Sequence, residues 1–253
     1  MSSFKLPTVY KLIELESCAS TNDEARKLAT LGEQNYPDGT LIWAKEQTAG
    51  RGRRGRAWDS PQGNLYLSLI LRPGVPLRKA SQLSFVAALA LFDALANISE
   101  PGHQIKLKWP NDVLLEDKKV AGILLESQAD NREAPAWVIL GIGVNVTHFP
   151  QDTVFPSTSL SAENWSVSVE ATLQAFARSF QRWANSWAED GFEKIRLSWL
   201  QRALGLGQKI EVNLETVTLE GVFKDIDKHG ALVLDRHGTE QRITAGEVYF
   251  PNN

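Results

Sequence analysis

The sequence predicts an α+β fold followed by a small all-β domain at its C-terminus. Apolar residues recur at helical spacing in some segments and in short strand-like runs in others, without a strict strand–helix–strand alternation. Residues 209–250 hold only short strand-like runs separated by turn signals such as residues 228–230, a pattern typical of a small β-barrel. We therefore expect two domains, at 1–204 and 205–253.

Helix signals occur in four segments of the first domain. The run from Ser20 to Glu24 predicts a helix start in which Thr21 is the cap and Glu24 completes a capping box. This helix should extend to Gly32, a good C-terminal stop. Apolar residues at helical spacing predict three further helices, over residues 79–96, 168–188 and 192–204.

Strand signals lie between these helices. They predict strands over residues 40–45, 64–71, 104–109, 113–115, 120–126 and 137–146, with a hairpin turn at 116–119. In the segment 104–109 the residues alternate, so Lys106 and Lys108 should face away from the apolar side chains. The order of elements does not match a doubly wound parallel sheet, which favours the α+β class.

Composition excludes several classes of function. The net charge of −3 argues against a basic nucleic-acid binder, and the single cysteine, Cys18, excludes a disulfide framework or a Cys-rich zinc site. The sequence contains no run of about 18 consecutive apolar residues, so it predicts no membrane span. The first fifteen residues carry no targeting signal. We expect a cytoplasmic protein.

The strongest local feature is the Arg-Gly loop, residues 50–56, with the sequence Gly-Arg-Gly-Arg-Arg-Gly-Arg. Glycines let a backbone approach a ligand closely, and guanidinium groups match phosphate and carboxylate oxygens in two-point contacts. This composition predicts a mobile loop that closes on an anion. A solvated basic turn and an arginine hook for a DNA minor groove are the alternatives that remain open at this point.

Three nucleotide-binding motifs do not fit the Arg-Gly loop. A dinucleotide fingerprint should open a helix, but residues 58–63 read as loop. A Walker A loop would end in Gly-Lys-Ser or Gly-Lys-Thr, which is absent here. A kinase Gly-rich loop would be accompanied by His-Arg-Asp and Asp-Phe-Gly, and the sequence has neither.

Three weaker features follow the loop. Asn111 and Asp112 end an alternating strand at a Pro-Asn-Asp turn, where they are either an ordinary turn or polar groups aimed at a ligand. Lys119 enters a buried strand and is either a surface lysine or an anion ligand. The run from Gly141 to Asn145 is either a strand packed tightly on a helix or a site of close ligand approach.

Taken in order, these features resemble the biotin protein ligases. The matching segments are Ser20-Thr21-Asn22, Gln47-Thr48-Ala49 with the Arg-Gly loop, Lys108-Trp109-Pro110-Asn111-Asp112, Lys119-Val120-Ala121-Gly122-Ile123-Leu124 and Gly141-Ile142-Gly143-Val144-Asn145. The resemblance covers about residues 17 to 250. The related lipoate ligases share the fold but not the Arg-Gly and Lys-Trp-Pro-Asn-Asp runs. The resemblance to the biotin protein ligases implies a mixed-sheet catalytic domain of the biotin/lipoate ligase type and a C-terminal SH3-like β-barrel.

The resemblance also implies roles for individual residues. It assigns biotin binding to Ser20, Thr21, Asn22, Gln47, Gly50, Arg51, Gly52, Arg53, Lys119, Gly122, Gly141 and Gly143. It assigns ATP or adenylate contacts to Arg53, Arg56, Trp58, Asn111, Lys119 and Asn145. Lys119, Arg53 and Asp112 are the candidate catalytic residues, with Asp112 orienting or deprotonating the accepting amine. No residue is assigned to a resident metal.

The implied activity is that of a biotin–[biotin carboxyl-carrier protein] ligase. Such an enzyme uses ATP with Mg²⁺ to convert biotin to biotinyl-5′-AMP and then biotinylates a lysine of a carrier protein, by default the acetyl-CoA carboxylase subunit. Because the match begins about sixteen residues into the sequence, we expect no N-terminal DNA-binding domain and no DNA partner. Whether the protein forms a homodimer is left open. The competing functions are a lipoate ligase, a nucleic-acid-binding module and an inactive carrier-binding protein.

Overall fold

Two β-sheets and five α-helices form the part of the protein that the computed structural model describes, residues 5–99, 101–128, 134–151, 153 and 155–250. The first sheet contains β1 (Lys11–Cys18), β2 (Thr40–Gln47), β3 (Leu65–Leu71), β4 (Ile105–Lys108), β5 (Asp112–Leu115), β6 (Lys118–Ser127) and β7 (Val138–Val144). The helices are α1 (Thr21–Thr30), α2 (Leu77–Ala80), α3 (Leu83–Ile98), α4 (Val169–Asp190) and α5 (Phe192–Leu200). The second sheet contains β8 (Lys209–Asn213), β9 (Thr218–Ile226), β10 (Leu232–Arg236), β11 (Thr239–Ile243) and β12 (Glu247–Tyr249).

The first sheet is mixed. Its strand order is β1-β2-β3-β7-β6-β5-β4, in which β1 and β2 are parallel and the other neighbours are antiparallel. The second sheet is antiparallel, in the order β11-β10-β9-β8-β12. This architecture confirms the predicted α+β class with a separate C-terminal β-structure.

Helices cover both faces of the mixed sheet, which explains why β3 is buried along its whole length. Leu67 and Leu140 belong to the main core, formed with α3, α4 and α5. Ile70 and Ile139 point to the opposite face and pack with α1 in a second, smaller core. Because side chains of a strand alternate between faces, a continuous apolar run is what a strand covered on both sides requires.

The face under α1 changes character beyond the N-terminus of that helix. Ser68 pairs across the sheet with Gly141, and Gly143 pairs with Gly122, so neighbouring positions on β3, β7 and β6 carry small residues. Only the first residues of α1, Thr21 and Asn22, reach Ser68 and Gly141, so beyond them the small residues leave a hollow on the sheet. The hollow is the floor of the cavity described below.

Two predicted helix boundaries are wrong, and the reasons are local. Thr21 does not cap α1, because Ser20 occupies the N-cap without a side-chain hydrogen bond and Thr21 is already helical. The predicted helix 192–204 stops at Leu200. The N–H of Leu107 donates to the carbonyl of Arg202 and the N–H of Leu204 donates to the carbonyl of Leu107, so this segment pairs with the edge of β4 instead.

The predicted helix 79–96 is divided into α2 and α3. Together, Leu77–Ile98 is the one segment within the described residues that is long and apolar enough to cross a membrane. Most of this segment is buried against the sheet, α4 and α5. Its apolar character is therefore that of a core helix in a globular domain.

Candidate functional site

A cavity of about 620 Å³ lies over the small residues of the mixed sheet. Its walls come from the N-terminus of α1, the Arg-Gly loop, the turn at 109–112, the C-terminal sheet and the residues Pro150, Thr153, Phe155 and Ser157. This volume is typical of small-molecule sites. It is lined by every candidate site residue from the sequence: Ser20, Thr21, Asn22, Gln47, Gly50, Arg51, Gly52, Arg53, Arg56, Trp58, Asn111, Asp112, Lys119, Gly122, Gly141, Gly143 and Asn145.

One end of the cavity is a network of neutral hydrogen-bonding groups. The backbone N–H and the hydroxyl of Thr21 lie 2.8 and 3.1 Å from the Gln47 Oε1 that accepts from them. Gln47 Nε2 donates to the Ser60 hydroxyl over 2.9 Å. The Ser68 hydroxyl lies 2.8 Å from Thr21 Oγ1 and 2.6 Å from Asn22 Oδ1. The network fixes donors and acceptors in place, as recognition of a neutral polar ligand requires.

A charged cluster supports this network from behind. Asn22 donates from Nδ2 to Glu126 Oε2 over 2.7 Å. Glu126 also contacts Arg51, whose guanidinium forms a second, two-point pair with Asp23 at 2.6 and 2.9 Å. The hydrogen bond from Arg51 is the main reason that the pKa of Asp23 is lowered. Arg51 thereby links the Arg-Gly loop to both α1 and β6.

Glycines in the floor make room for two of the chain's own side chains. A Cβ at Gly141 would lie 2.2 Å from Oδ1 of Asn22, and a Cβ at Gly143 would lie 2.7 Å from the Trp58 indole. At Gly122 the indole would be 3.0 Å away. These glycines therefore allow the side chains of Asn22 and Trp58 to lie directly against the sheet.

The Arg-Gly loop forms a closed turn over the cavity. Gly52 donates from its N–H to the carbonyl of Arg56 over 2.7 Å, and Trp58 donates to the carbonyl of Gly50 over 2.9 Å. Between them lies a single 3₁₀ turn, Arg53–Gly55, in which Arg54 has a φ of 55°. Gly50 must be glycine, because a Cβ there would lie 2.5 Å from the Trp58 carbonyl. The turn holds the arginines above the sheet.

Three of the four loop arginines contact the protein itself. Arg51 pairs with Asp23 and Glu126, Arg56 pairs with Glu247 of the second sheet, and Arg53 Nη1 lies 3.3 Å from Asn111 Oδ1. Burial, followed by the neighbouring Arg54, lowers the pKa of Arg53. Three of the loop arginines are thus tied to the walls of the cavity.

The other end of the cavity is rich in positive charge around one carboxylate. Lys119 Nζ is 2.6 Å from Oδ1 of Asp112. The two groups form an ion pair, but their angles do not meet those of a hydrogen bond. Lys108 Nζ is 3.8 Å from the other carboxylate oxygen, Oδ2. Lys119 also lies over the Trp58 ring, 5.3 Å from its centroid. With Arg53 nearby, this end favours an anionic ligand.

Two asparagines are held by the backbone at the rim of this cationic end. Asn111 donates from Nδ2 to the carbonyl of Ile123 over 2.7 Å, which leaves its Oδ1 facing Arg53. Asn145 donates from Nδ2 to the carbonyl of Thr158 over 2.9 Å. Asn145 therefore joins the end of β7 to the segment that closes the cavity.

The sequence interpretation missed several residues of the site. Lys108 was not predicted as a site residue, although strand alternation separated it from the apolar face; it is buried in the cavity against the rings of Phe155 and Tyr249. Ser68 carried a signal, since it is the one polar residue in the apolar run 65–71. Glu126 and Glu247 carried none, because their partners are distant in the chain.

Comparisons with known proteins agree on one family. The sequence profile of the biotin/lipoate A/B protein ligase family matches residues 15–145, and that of the biotin protein ligase C terminal domain matches residues 205–250. The biotin–[acetyl-CoA-carboxylase] ligase of Paracoccus denitrificans is 44% identical over 237 residues, covering 91% of this chain and 97% of that protein. The bifunctional ligase/repressor of Bacillus subtilis is 37% identical, covering 94% of this chain and 73% of that protein.

A solved structure extends the similarity to the fold. The biotin protein ligase from Aquifex aeolicus in complex with biotin and ATP has a TM-score of 0.79 and 28% identity to this chain. The alignment covers 94% of this chain and 97% of that protein. The family profiles, the identity over nearly the whole length and the shared fold agree: the chain belongs to the biotin/lipoate A/B protein ligase family and carries the C-terminal domain of the biotin protein ligases.

Proposed function

We propose that this protein activates biotin with ATP, forming biotinyl-5′-AMP, and transfers the biotinyl group to a lysine of a biotin carboxyl carrier protein. The observation that carries the proposal is the division of one cavity into a neutral hydrogen-bonding end and a cationic end. Biotin has the same two parts, a ureido ring and a carboxylate. The relative from Paracoccus denitrificans is named for acetyl-CoA carboxylase, which makes that enzyme's carrier subunit the expected protein substrate.

The neutral end suits the ureido group. Its carbonyl accepts hydrogen bonds and its two N–H groups donate them, so it needs partners of both kinds. Thr21, Gln47 and Asn22 are buried or half-buried groups of that kind, and they are already held by Ser68 and Ser60. Lipoate carries an apolar dithiolane ring in place of the ureido group. Burying these polar groups against such a ring would leave them unpaired, which favours biotin.

The cationic end suits the activation step. A biotin carboxylate oxygen attacks the α-phosphorus of ATP, the bond from that phosphorus to the bridging oxygen breaks, and its electron pair leaves with pyrophosphate. Lys119 and Arg53 are the cations that we assign to the carboxylate and the α-phosphate, where negative charge accumulates in the transition state. Their contribution is positional and electrostatic, because phosphoryl transfer demands little other chemistry from a protein.

We treat Mg²⁺ as part of the MgATP substrate. The described residues contain no group of three or more His, Cys, Asp or Glu side chains able to hold an ion. The cavity carboxylates Asp112 and Glu247 face Lys119 and Arg56 respectively. Mg²⁺ commonly retains waters and binds through substrate phosphates with one or two carboxylates.

Asp112 is the residue that we assign to the transfer step. The ε-amine of the carrier lysine attacks the acyl carbon of biotinyl-5′-AMP, forms an amide and expels AMP, and the amine must lose a proton in the process. Asp112 is the carboxylate at the cationic end, and Lys119 beside it holds it in place. The Arg-Gly loop, closed over this end, would keep water away from the reactive adenylate.

The test separates the two half-reactions. Wild-type protein, biotin, MgATP and a purified carrier domain should yield a carrier labelled on one lysine, with biotinyl-5′-AMP detected when the carrier is omitted. Asp112→Asn should form the adenylate at close to the wild-type rate and slow transfer by roughly 10²–10⁴-fold, the usual contribution of a proton-transfer group. Equal losses in both half-reactions would contradict the role of Asp112, and absence of adenylate in the wild type would contradict the proposed function.

A further inference from the structure

Lys108, at the end of β4, has a largely buried side chain whose ammonium finds no hydrogen-bond acceptor among the described residues. The residue is only 5% exposed. Its Nζ lies 3.9 Å from the centroid of the Phe155 ring and 5.5 Å from that of Tyr249. Burial is the main cause that lowers the pKa of Lys108. Aromatic faces attract a cation, but they leave its three N–H donors unpaired.

The surrounding charges do not balance Lys108. Its nearest carboxylate oxygen is Oδ2 of Asp112, at 3.8 Å, and the other oxygen of that carboxylate belongs to Lys119 at 2.6 Å. Arg53 adds a third cation near the same carboxylate. The charge of Asp112 is one of the influences on the pKa of Arg53, which it raises. Glu247 also acts on Lys108 and Arg53, but it pairs with Arg56, so two carboxylates face four cations and this end of the cavity has an excess of positive charge. A buried excess of this kind is costly unless an anion binds there.

Lys108 and Lys119 approach different oxygens of the Asp112 carboxylate and have different surroundings. Lys119 lies over the ring of Trp58, next to the Arg-Gly loop. Lys108 lies over the ring of Phe155, from a loop, and near that of Tyr249, from the C-terminal sheet. Two cations separated by a carboxylate fit two different parts of a polyanion better than one phosphate group. The α-phosphate at Lys119 would leave the β- and γ-phosphates as the parts available to Lys108.

We propose that Lys108 binds the pyrophosphate portion of ATP and stabilises it as the leaving group of the activation step. The inference rests on the proposed function and adds a residue to it. When the bond between the α-phosphorus and the bridging oxygen breaks, the electron pair passes to pyrophosphate, so negative charge increases next to Lys108. After pyrophosphate departs, Lys108 has no role in the attack of the carrier amine on biotinyl-5′-AMP.

The test compares Lys108→Met with a matched control, Lys106→Met. Lys106 lies two residues earlier on the same strand, pairs with Asp117 at 2.9 Å and does not line the cavity. Three rates are measured: adenylate formation from biotin and MgATP, its reversal by inorganic pyrophosphate, and transfer from synthetic biotinyl-5′-AMP to a carrier domain. A lost charge-assisted contact should slow formation and reversal by roughly 10- to 100-fold. Transfer should stay within about twofold, and the control should resemble the wild type in all three rates.

The outcomes separate this inference from the proposed function. A wild-type protein that makes no biotinyl-5′-AMP would refute the proposed function itself. With an active wild type, the inference is overturned if Lys108→Met retains all three rates, loses all three equally or loses transfer alone. Lys108→Gln, whose side chain has a similar length and remains polar, undergoes the same assays should the Met variant fail to fold. Lys108→Arg keeps the charge and should recover most of the formation and reversal rates.

Discussion

The contact between Trp58 and the glycine floor leads to a quantitative prediction for Gly143→Ala. The added Cβ would lie 2.7 Å from the indole Cε2 and Nε1, whereas non-bonded carbon atoms are most stable about 3.5–4.0 Å apart. The indole must therefore move by about 1 Å. Overpacking of this kind typically costs about 1–3 kcal/mol. Because Trp58 lies two residues after the Arg-Gly loop, donates to the carbonyl of Gly50 and contacts Lys119, the displacement should open the loop and release the adenylate more readily.

A double-mutant cycle with Trp58→Ala isolates this clash. Gly143→Ala alone should lower the free energy of unfolding in urea by about 1–3 kcal/mol or accelerate adenylate release by a comparable roughly 5- to 150-fold. In the Trp58→Ala background the same substitution should have almost no effect, because the clashing ring is gone. If Gly143→Ala has the same effect in both backgrounds, its effect comes from the strand backbone and the reasoning about Trp58 is refuted.

Two further predictions concern the charged cluster behind the neutral end. Glu126→Gln should weaken biotin binding by roughly 10- to 100-fold in calorimetry, since it deprives Arg51 and Asn22 of a charged acceptor, and an unchanged Kd would show that the cluster does not position Asn22. The Arg51 hydrogen bond lowers the folded-state pKa of Asp23, so the stability from this pair is present above the unfolded pKa of about 3.9 and is lost as the pH falls below it towards the folded pKa. Asp23→Asn should therefore weaken the acid dependence of the urea midpoint, and a pH profile identical to that of the wild type would contradict this assignment.

Local patterns in the sequence predicted most elements of the fold because each pattern reports its own neighbourhood. The apolar run of β3 indicated a strand covered on both faces, and helical spacing located α3 and α4. The end of α5 could not be predicted in this way. It depends on pairing of the segment 202–204 with the edge of β4, nearly one hundred residues earlier in the chain.

The candidate site shows the same division between local and long-range information. The glycines of β7 indicated tight packing or ligand approach without deciding between them, and nothing near them in the sequence identified Asn22 and Trp58 as the groups that lie against them. Strand alternation separated Lys108 from the apolar face of β4, but it does not say what covers the opposite face. The environment of Lys108 is created by Phe155 and Tyr249, which come from a loop and from the second sheet.

Tyr249 also shows what the C-terminal sheet contributes to the site. Glu247 and Tyr249 lie on β12 and line the cavity, where Glu247 pairs with Arg56 of the Arg-Gly loop. The second sheet therefore supplies part of the cavity wall and holds one side of the loop. We expect the role of this domain in the reaction to depend on these two side chains.

The most direct test of the central claim is pyrophosphate release from MgATP by the wild-type protein, with biotin and with lipoate as the acid. The division of the cavity into a ureido-binding end and a cationic end predicts rapid release with biotin and release at least about 100-fold slower with lipoate at equal concentration. Equal or faster release with lipoate would contradict the assignment of the neutral network to biotin. Release with neither acid would contradict acid activation as the function of the site.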